Sequence, residues 1–186
     1  MRKIGIGVAF LCLAAVIVLI FTPRTQEASQ PKELTVTDSM GREVTLPAHP
    51  KRVVILNASN LDLFVAAGGA EAVVGKPSSQ ALSPTVVEKT ANAEEVGIIH
   101  QPNVEKILSL QPDLVIGTNV PFHIDLENTL SDAGVPIYIQ ALDDVPSLFS
   151  ALSFYGKLTG DEERAEKEVQ TIKDKLAEVE KRAAGS

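Results

Sequence analysis

The stretch Val96–Gly117, VGIIHQPNVEKILSLQPDLVIG, decides the fold, because a loop, a short helix and a buried strand follow one another in it with each boundary marked. Pro102 and Asn103 set the turn into the helix. Asn103 is placed to cap it, and Val104, Ile107 and Leu108 supply an apolar stripe at i, i+3 and i+4. Pro112 ends the helix, since the residue before a proline is disfavoured in helical conformation. Leu114-Val115-Ile116 then reads as an interior strand, apolar on both faces, and Gly117 stops it.

Outward from this unit the same alternation repeats. Upstream, Arg52–Asn57 reads as the first core strand, followed by a helix that Ser59 can cap and that buries Leu61, Phe64 and Val65 before Gly68-Gly69. Ala72–Gly75 is a second short strand, and 77–92 a loop with a short helix around Thr85–Lys89. Before these, Leu34–Thr37 and Glu43–Leu46 alternate around Asp38–Arg42 as a hairpin. Downstream, a helix over Phe122–Ala133 leads through Gly134 and Pro136 into the strand Ile137–Gln140, and Val145–Leu158 is one more helix. Thr159-Gly160-Asp161-Glu162 has the form of a capping box, and Ala165, Val169, Ile172, Leu176 and Val179 follow at spacings of four and three. That predicts a long amphipathic helix over 159–183, its outer face solvated through the pairs Glu163 with Lys167 and Glu178 with Arg182. It covers its own domain or forms a short coiled coil. The fold class expected is α/β, a Rossmann-like parallel sheet with helices on both faces, an N-terminal β-hairpin and a long C-terminal helix.

The chain has 186 residues, enough for one ordinary domain, and 45% hydrophobic residues supply a core. Its net charge of −7 argues against a nucleic-acid partner. Ile4–Phe21 is an uninterrupted run of apolar residues and glycine, roughly 27 Å long as a helix, which just spans a bilayer. Arg2 and Lys3 before it place everything after Phe21 outside the cytoplasm. Residues 1–21 are thus expected to be a membrane anchor or a cleaved signal peptide; both readings stand, and 22–33 is a polar tether. The single cysteine, Cys12, lies within the run, so no intramolecular disulfide and no cysteine zinc site is possible.

Several segments in order resemble one family. Asp38, Gly41-Arg42, Val44, Leu46-Pro47 and Pro50–Val54 look like the N-terminal motif of the helical-backbone substrate-binding proteins of ABC importers, the iron-siderophore, haem and cobalamin receptors. Gly97, Pro102-Asn103, Glu105, Ile107, Leu110 and Pro112–Val115 match their central segment, and Gly134–Pro136 and Gly156–Gly160 later ones. The resemblance implies two α/β lobes joined by a long helix, with ligand in the cleft between. Only one lobe, 34–158, and the linking helix are expected here; with the second lobe absent, a truncated product and a stand-alone half receptor are the two readings, truncation the preferred one. Relatives are often lipoproteins, but Phe10 and Leu11 precede Cys12 where small residues are wanted, so lipidation is not expected. The resemblance further implies an extracytoplasmic, non-enzymatic protein with two partners, an ABC permease and a small-molecule ligand (ferric siderophore, haem or corrinoid), and no cofactor of its own.

Ligands approach the carboxyl ends of parallel strands. Asn57, Ser59 and Asn60 follow the first strand, Asn119 and His123 follow the strand ending at Thr118, and His100 lies in the loop before the Asn103 helix. These are the candidate ligand-binding residues; Asn57 and Ser59 also read as simple helix caps, and His100 and His123 as ordinary loop histidines. The resemblance places His100 where some haem receptors put an axial ligand. Glu105 resembles the family's permease-docking glutamate, and its place in the first turn of a helix also favours the positive helix end. Rival readings are a nucleotide-dependent enzyme domain, against which the absence of Gly-x-Gly-x-x-Gly after the first strand speaks, and a membrane-tethered interaction module.

Overall fold

The computed structural model describes residues 32–184. The expected anchor or signal over 1–21, Cys12 and nearly all of the tether lie outside the described residues. Among the described residues no helix is long and apolar enough to cross a membrane. In chain order the elements are β1 (Glu33–Thr37), β2 (Glu43–Pro47), β3 (Val53–Ile55), α1 (Ala58–Ala66), β4 (Val73–Lys76), α2 (Pro84–Lys89), β5 (Glu94–Glu95), β6 (Gly97–Ile98), β7 (Gln101–Pro102), α3 (Val104–Ser109), β8 (Leu114–Gly117), α4 (Pro121–Ile124), α5 (Glu127–Asp132), β9 (Ile137–Ile139), α6 (Val145–Thr159) and α7 (Glu162–Ala184).

Five parallel strands form one sheet in the order β5-β4-β3-β8-β9. The order reverses between β3 and β8, where chain connections run to opposite sides, and in open α/β sheets the carboxyl edge at such a point is where ligands bind. Side chains alternate between two apolar layers, as a period of two requires. Val53, Ile55, Leu114, Ile116 and Tyr138 join one with Leu61, Phe64, Leu152 and Tyr155 of α1 and α6. Val54, Leu56, Val115, Ile137 and Ile139 join the other with Ile107, Leu126 and Leu130. β8, buried at all four positions, is the two-sided interior strand its sequence describes. β1 and β2 pair antiparallel with Val36 opposite Val44, as the alternation predicts.

Several local expectations are corrected. The segment 96–103 is not plain loop, since Gly97 with φ 103° lets β6 and β7 fold into a small antiparallel hairpin. The helix expected over Phe122–Ala133 is broken into α4 and α5, and the first core strand is only three residues long. Ser59 does not cap α1; Asn57 holds the capping position and its side chain makes no cap bond. Nor is Thr159 a cap for α7. It ends α6, Gly160 takes the left-handed conformation at φ 77°, and the Asp161 carboxylate accepts the Arg164 N–H at 3.3 Å. Thr159 Oγ1 and Arg164 Nε instead donate to the Ala67 and Ala66 carbonyls at 2.6 and 2.8 Å, occupying acceptors at the end of α1. A reciprocal capping box does exist, between Asp144 and Ser147 at the start of α6. Asn103 caps α3 as expected, accepting the Lys106 N–H at 2.9 Å. On α7 Glu178 pairs with Arg182, and Glu163 with Lys167 is not among the ion pairs of the described residues.

Where α6 meets α7, Gly156 lets the helices touch. A Cβ there would lie 2.5 Å from the Ala165 Cβ and 3.2 Å from the Glu162 Cα, closer than packed atoms come. Gly156→Val is therefore expected to cost about 1–3 kcal/mol of stability by forcing α7 away. Urea unfolding would measure it, and an unchanged midpoint would mean that α7 does not rest on α6 as described.

Candidate functional site

The carboxyl ends of β3, β8 and β9 converge on one buried amide. Asn60, fully buried in the first turn of α1, donates from Nδ2 to Asn57 Oδ1 at 2.9 Å, to the Gly117 carbonyl at 3.2 Å and to the Gln140 carbonyl at 3.0 Å. Its Oδ1 accepts the Tyr155 hydroxyl at 3.0 Å. The side chain is saturated, so it is a strut joining three strand ends to α6 and not a group presented to a ligand. Burial pushes the Tyr155 phenol well above its ordinary range, and the neutral donor is the form the network needs.

His123 is corrected in the same way. It is fully buried, and Nδ1 accepts the Thr118 N–H at 3.0 Å, which fixes the turn after β8. That bond needs a bare Nδ1, so the ring is the neutral tautomer with its proton on Nε2. Nε2 has no well-formed bond, the Ile99 backbone offering a weak one. Burial first, opposed by Ile99 and reinforced by His100, lowers the pKa to about 4.

The remaining predicted residues share the edge. Asn57 is buried but for 7% of its surface, while Ser59, in the first turn of α1, and Asn119, on the loop after β8, are exposed either side of the switch point. His100 is exposed at the tip of the β6–β7 hairpin, and its ring meets that of Phe122 edge-to-face at 5.5 Å. The hairpin is anchored at its base, where the Ser78 N–H donates to the Gly97 carbonyl at 2.8 Å and the Asn103 N–H to the Val96 carbonyl at 2.7 Å. Glu105 is exposed in the first turn of α3, directly beyond this hairpin.

One wall of the edge escapes a sequence reading altogether. The β1–β2 turn lies against the end of β9, the Ser39 N–H donating to the Ile139 carbonyl at 2.9 Å and the Ala141 N–H to Ser39 Oγ at 2.8 Å. Met40 is thereby exposed beside the strand ends. The turn is held by Asp38, whose carboxylate accepts the Met40 and Arg42 N–H groups and the Arg42 guanidinium, which also reaches Glu127. Burial alone would raise the Asp38 pKa; the Arg42 bonds outweigh it and the value is lowered. The sole available signal was the Asp38…Arg42 spacing, which marks the turn and not its destination.

A periplasmic binding protein family model matches residues 53–186. An uncharacterized ABC transporter substrate-binding lipoprotein of Bacillus subtilis, YvrC, is 27% identical over 98% of this chain and 59% of its own length. A cobalamin-binding protein of Halobacterium salinarum is 28% identical over 78% of the chain and 39% of its own. The crystal structure of Staphylococcus aureus SirA complexed with staphyloferrin B superposes with a TM-score of 0.66 at 26% identity, covering 82% of this chain and 51% of that one. The chain spans about half the length of the relatives it matches.

Two outcomes follow from the edge geometry. Asn60→Ala should cost about 2 kcal/mol or more, because it strands the Tyr155 hydroxyl and the Gln140 carbonyl, the Gly117 carbonyl keeping the Gln140 N–H at 3.0 Å, and Tyr155→Phe about 1 kcal/mol, with the pair coupled in a double-mutant cycle. A normally stable Asn60→Ala would return Asn60 to the list of ligand contacts. For His123 the folded pKa lies below the unfolded one, so its contribution is whole above pH 6.5 and is lost as pH falls toward about 4. Between pH 7.5 and 4.5 the protein should lose on the order of 2 kcal/mol more than His123→Asn, which keeps an acceptor for Thr118 without titrating. Equal losses in the two would show that His123 does not titrate in this way.

Proposed function

Because the chain belongs to the periplasmic binding protein family, we propose that it is the extracytoplasmic ligand-binding part of an ABC importer for a ferric siderophore, haem or cobalamin. The observation that carries this reading is the carboxyl edge at the β3/β8 switch point. There Ser59 from the first turn of α1 and Asn119 from the loop after β8 offer hydrogen-bonding groups on a base held by the bonds below them, and the hairpin bearing His100 closes one side. Such an arrangement binds and orients. On this reading the edge captures its ligand without covalent chemistry. Its partners on this reading are the small molecule and a membrane permease, met through the exposed Glu105, with residues 4–21 holding the chain at the membrane.

The test separates the edge from the rest of the surface. Ser59→Trp and Asn119→Trp should each weaken binding at least about tenfold for whichever of a ferric siderophore, haemin or cobalamin binds, about 1.4 kcal/mol or more. Glu71→Trp, at the opposite end of the sheet, should leave binding unchanged. Glu105→Arg should keep both fold and affinity yet abolish permease-dependent uptake. If Ser59→Trp and Asn119→Trp bind like the parent, the ligand sits elsewhere and the reading fails.

A further inference from the structure

Large apolar side chains that stay exposed are unevenly placed. Of the seven exposed ones among the described residues, Met40, Ile98, Phe122 and Val145 all stand at the carboxyl edge, 44–50% exposed. Met40 is brought there by the turn bonded to β9, Ile98 by the hairpin after β5, Phe122 by α4 after β8, and Val145 by the start of α6 after β9. Exposed apolar surface gathered round a set of polar loops marks a binding surface.

The charge of the same edge is equally informative. The segments 57–60, 77–83, 96–103 and 118–123 contain no Lys, Arg, Asp or Glu at all. The turn 38–42 adds Asp38 and Arg42, which neutralise one another, and Arg42 is further engaged by Glu127. The loop 140–144 adds Asp143 and Asp144. Lys76, at the end of β4, is buried with its ammonium on the Thr90 carbonyl at 2.8 Å. Among the described residues no cation is therefore free on this edge to receive a carboxylate, a catecholate or an oxyanion, which need charge-assisted donors when taken out of water. Among the described residues no three His, Cys, Asp or Glu side chains are grouped to hold a metal ion either.

Building on the reading of the edge as a ligand site, we propose that its ligand is an uncharged or singly cationic metal chelate with an amide-rich, partly apolar periphery. Trihydroxamate iron complexes and corrinoids share that chemistry; polyanionic complexes and haem, with its two carboxylates, do not. The exposed apolar side chains Met40, Ile98, Phe122 and Val145 cover the ligand's hydrocarbon, and Ser59 and Asn119 take its amide and carbonyl groups.

Equilibrium dialysis of the full chain in lipid nanodiscs, with empty discs as blank, would decide. The probes are ferrichrome (neutral), ferrioxamine B (cationic), cyanocobalamin (neutral), ferric enterobactin (trianionic) and haemin. Expected is that a neutral or cationic probe binds at least about tenfold tighter than either anionic one. Its affinity should change less than about twofold between low and high salt, as binding without ion pairing requires, and fall at least about fivefold in Phe122→Ser or Met40→Ser. Comparing ferrichrome and ferrioxamine B with cyanocobalamin distinguishes the two sources. Tighter binding of ferric enterobactin, or a haemin Soret shift lost in His100→Ala, overturns the charge assignment while leaving a receptor. Absence of binding by every probe overturns both the assignment and the receptor reading.

Discussion

The Asn60 carboxamide is the constraint on which the rest depends. Strands that end at a ligand edge must leave their last carbonyls either to solvent or to something buried, and an unpaired buried carbonyl is costly. Here one side chain collects the Gly117 and Gln140 carbonyls and the Asn57 amide, and is itself fixed by Tyr155 from α6. Three strand ends and two helices are thereby set relative to one another before any loop begins. The first turn of α1, with Ser59, and the loop that carries Asn119 then leave from a rigid base, and little ordering remains to be done when a ligand lands on them.

The opposite end of the sheet is pinned by charge. Asp113 accepts the Lys51 and Arg52 N–H groups at 2.7 and 3.0 Å, and the Arg52 guanidinium donates to the Leu110 and Gln111 carbonyls at the end of α3. This gives a physical meaning to two of the segments through which the sequence resembles its family. Pro50–Val54 and Pro112–Val115 meet, and each supplies what the other lacks. Asp38 with Arg42 does the same for the hairpin, and Gly156 with Ala165 for the two long helices. The family signature in this chain is thus largely a set of scaffold contacts. It says which fold is made and leaves the ligand to the loops between its pieces.

That division explains what could be read from sequence. The parallel sheet, the two-sided β8, the Asn103 cap and the long amphipathic α7 follow from periodicity and capping, which are local and survive in one dimension. The division between α4 and α5 does not; His123 and Leu126 on either side of it are buried, and neither burial leaves a local mark. Asn60 and His123 were legible as polar residues after strands but not as buried ones. Polar residues at strand ends serve either the ligand or the strands themselves, and only their surroundings tell which. Ser59, Asn119 and His100 have the same composition signal and are exposed. Met40 was out of reach because it comes to the edge through a turn about a hundred residues away in sequence from Ile139 and Ala141.

Helix α7 shows the same logic in one element. Its apolar spacing is uniform from Ala165 to Val179, yet Ala165 is buried, Val169 and Ile172 are half-buried, and Leu176 and Val179 are exposed at 37% and 61%. Regular spacing in sequence thus specifies a face without specifying how much of it the lobe can cover. What limits the coverage is α6, which ends at Gly160 close to where α7 begins, so contact between the two is tightest around Gly156 and Ala165. The amphipathic pattern belongs to the whole helix, whereas the stabilisation of this lobe comes from its first turns, where Arg164 and Asp161 also bond. Changes beyond Ile172 therefore act on whatever meets that face and leave the sheet, the Asn60 junction and the ligand edge as they are.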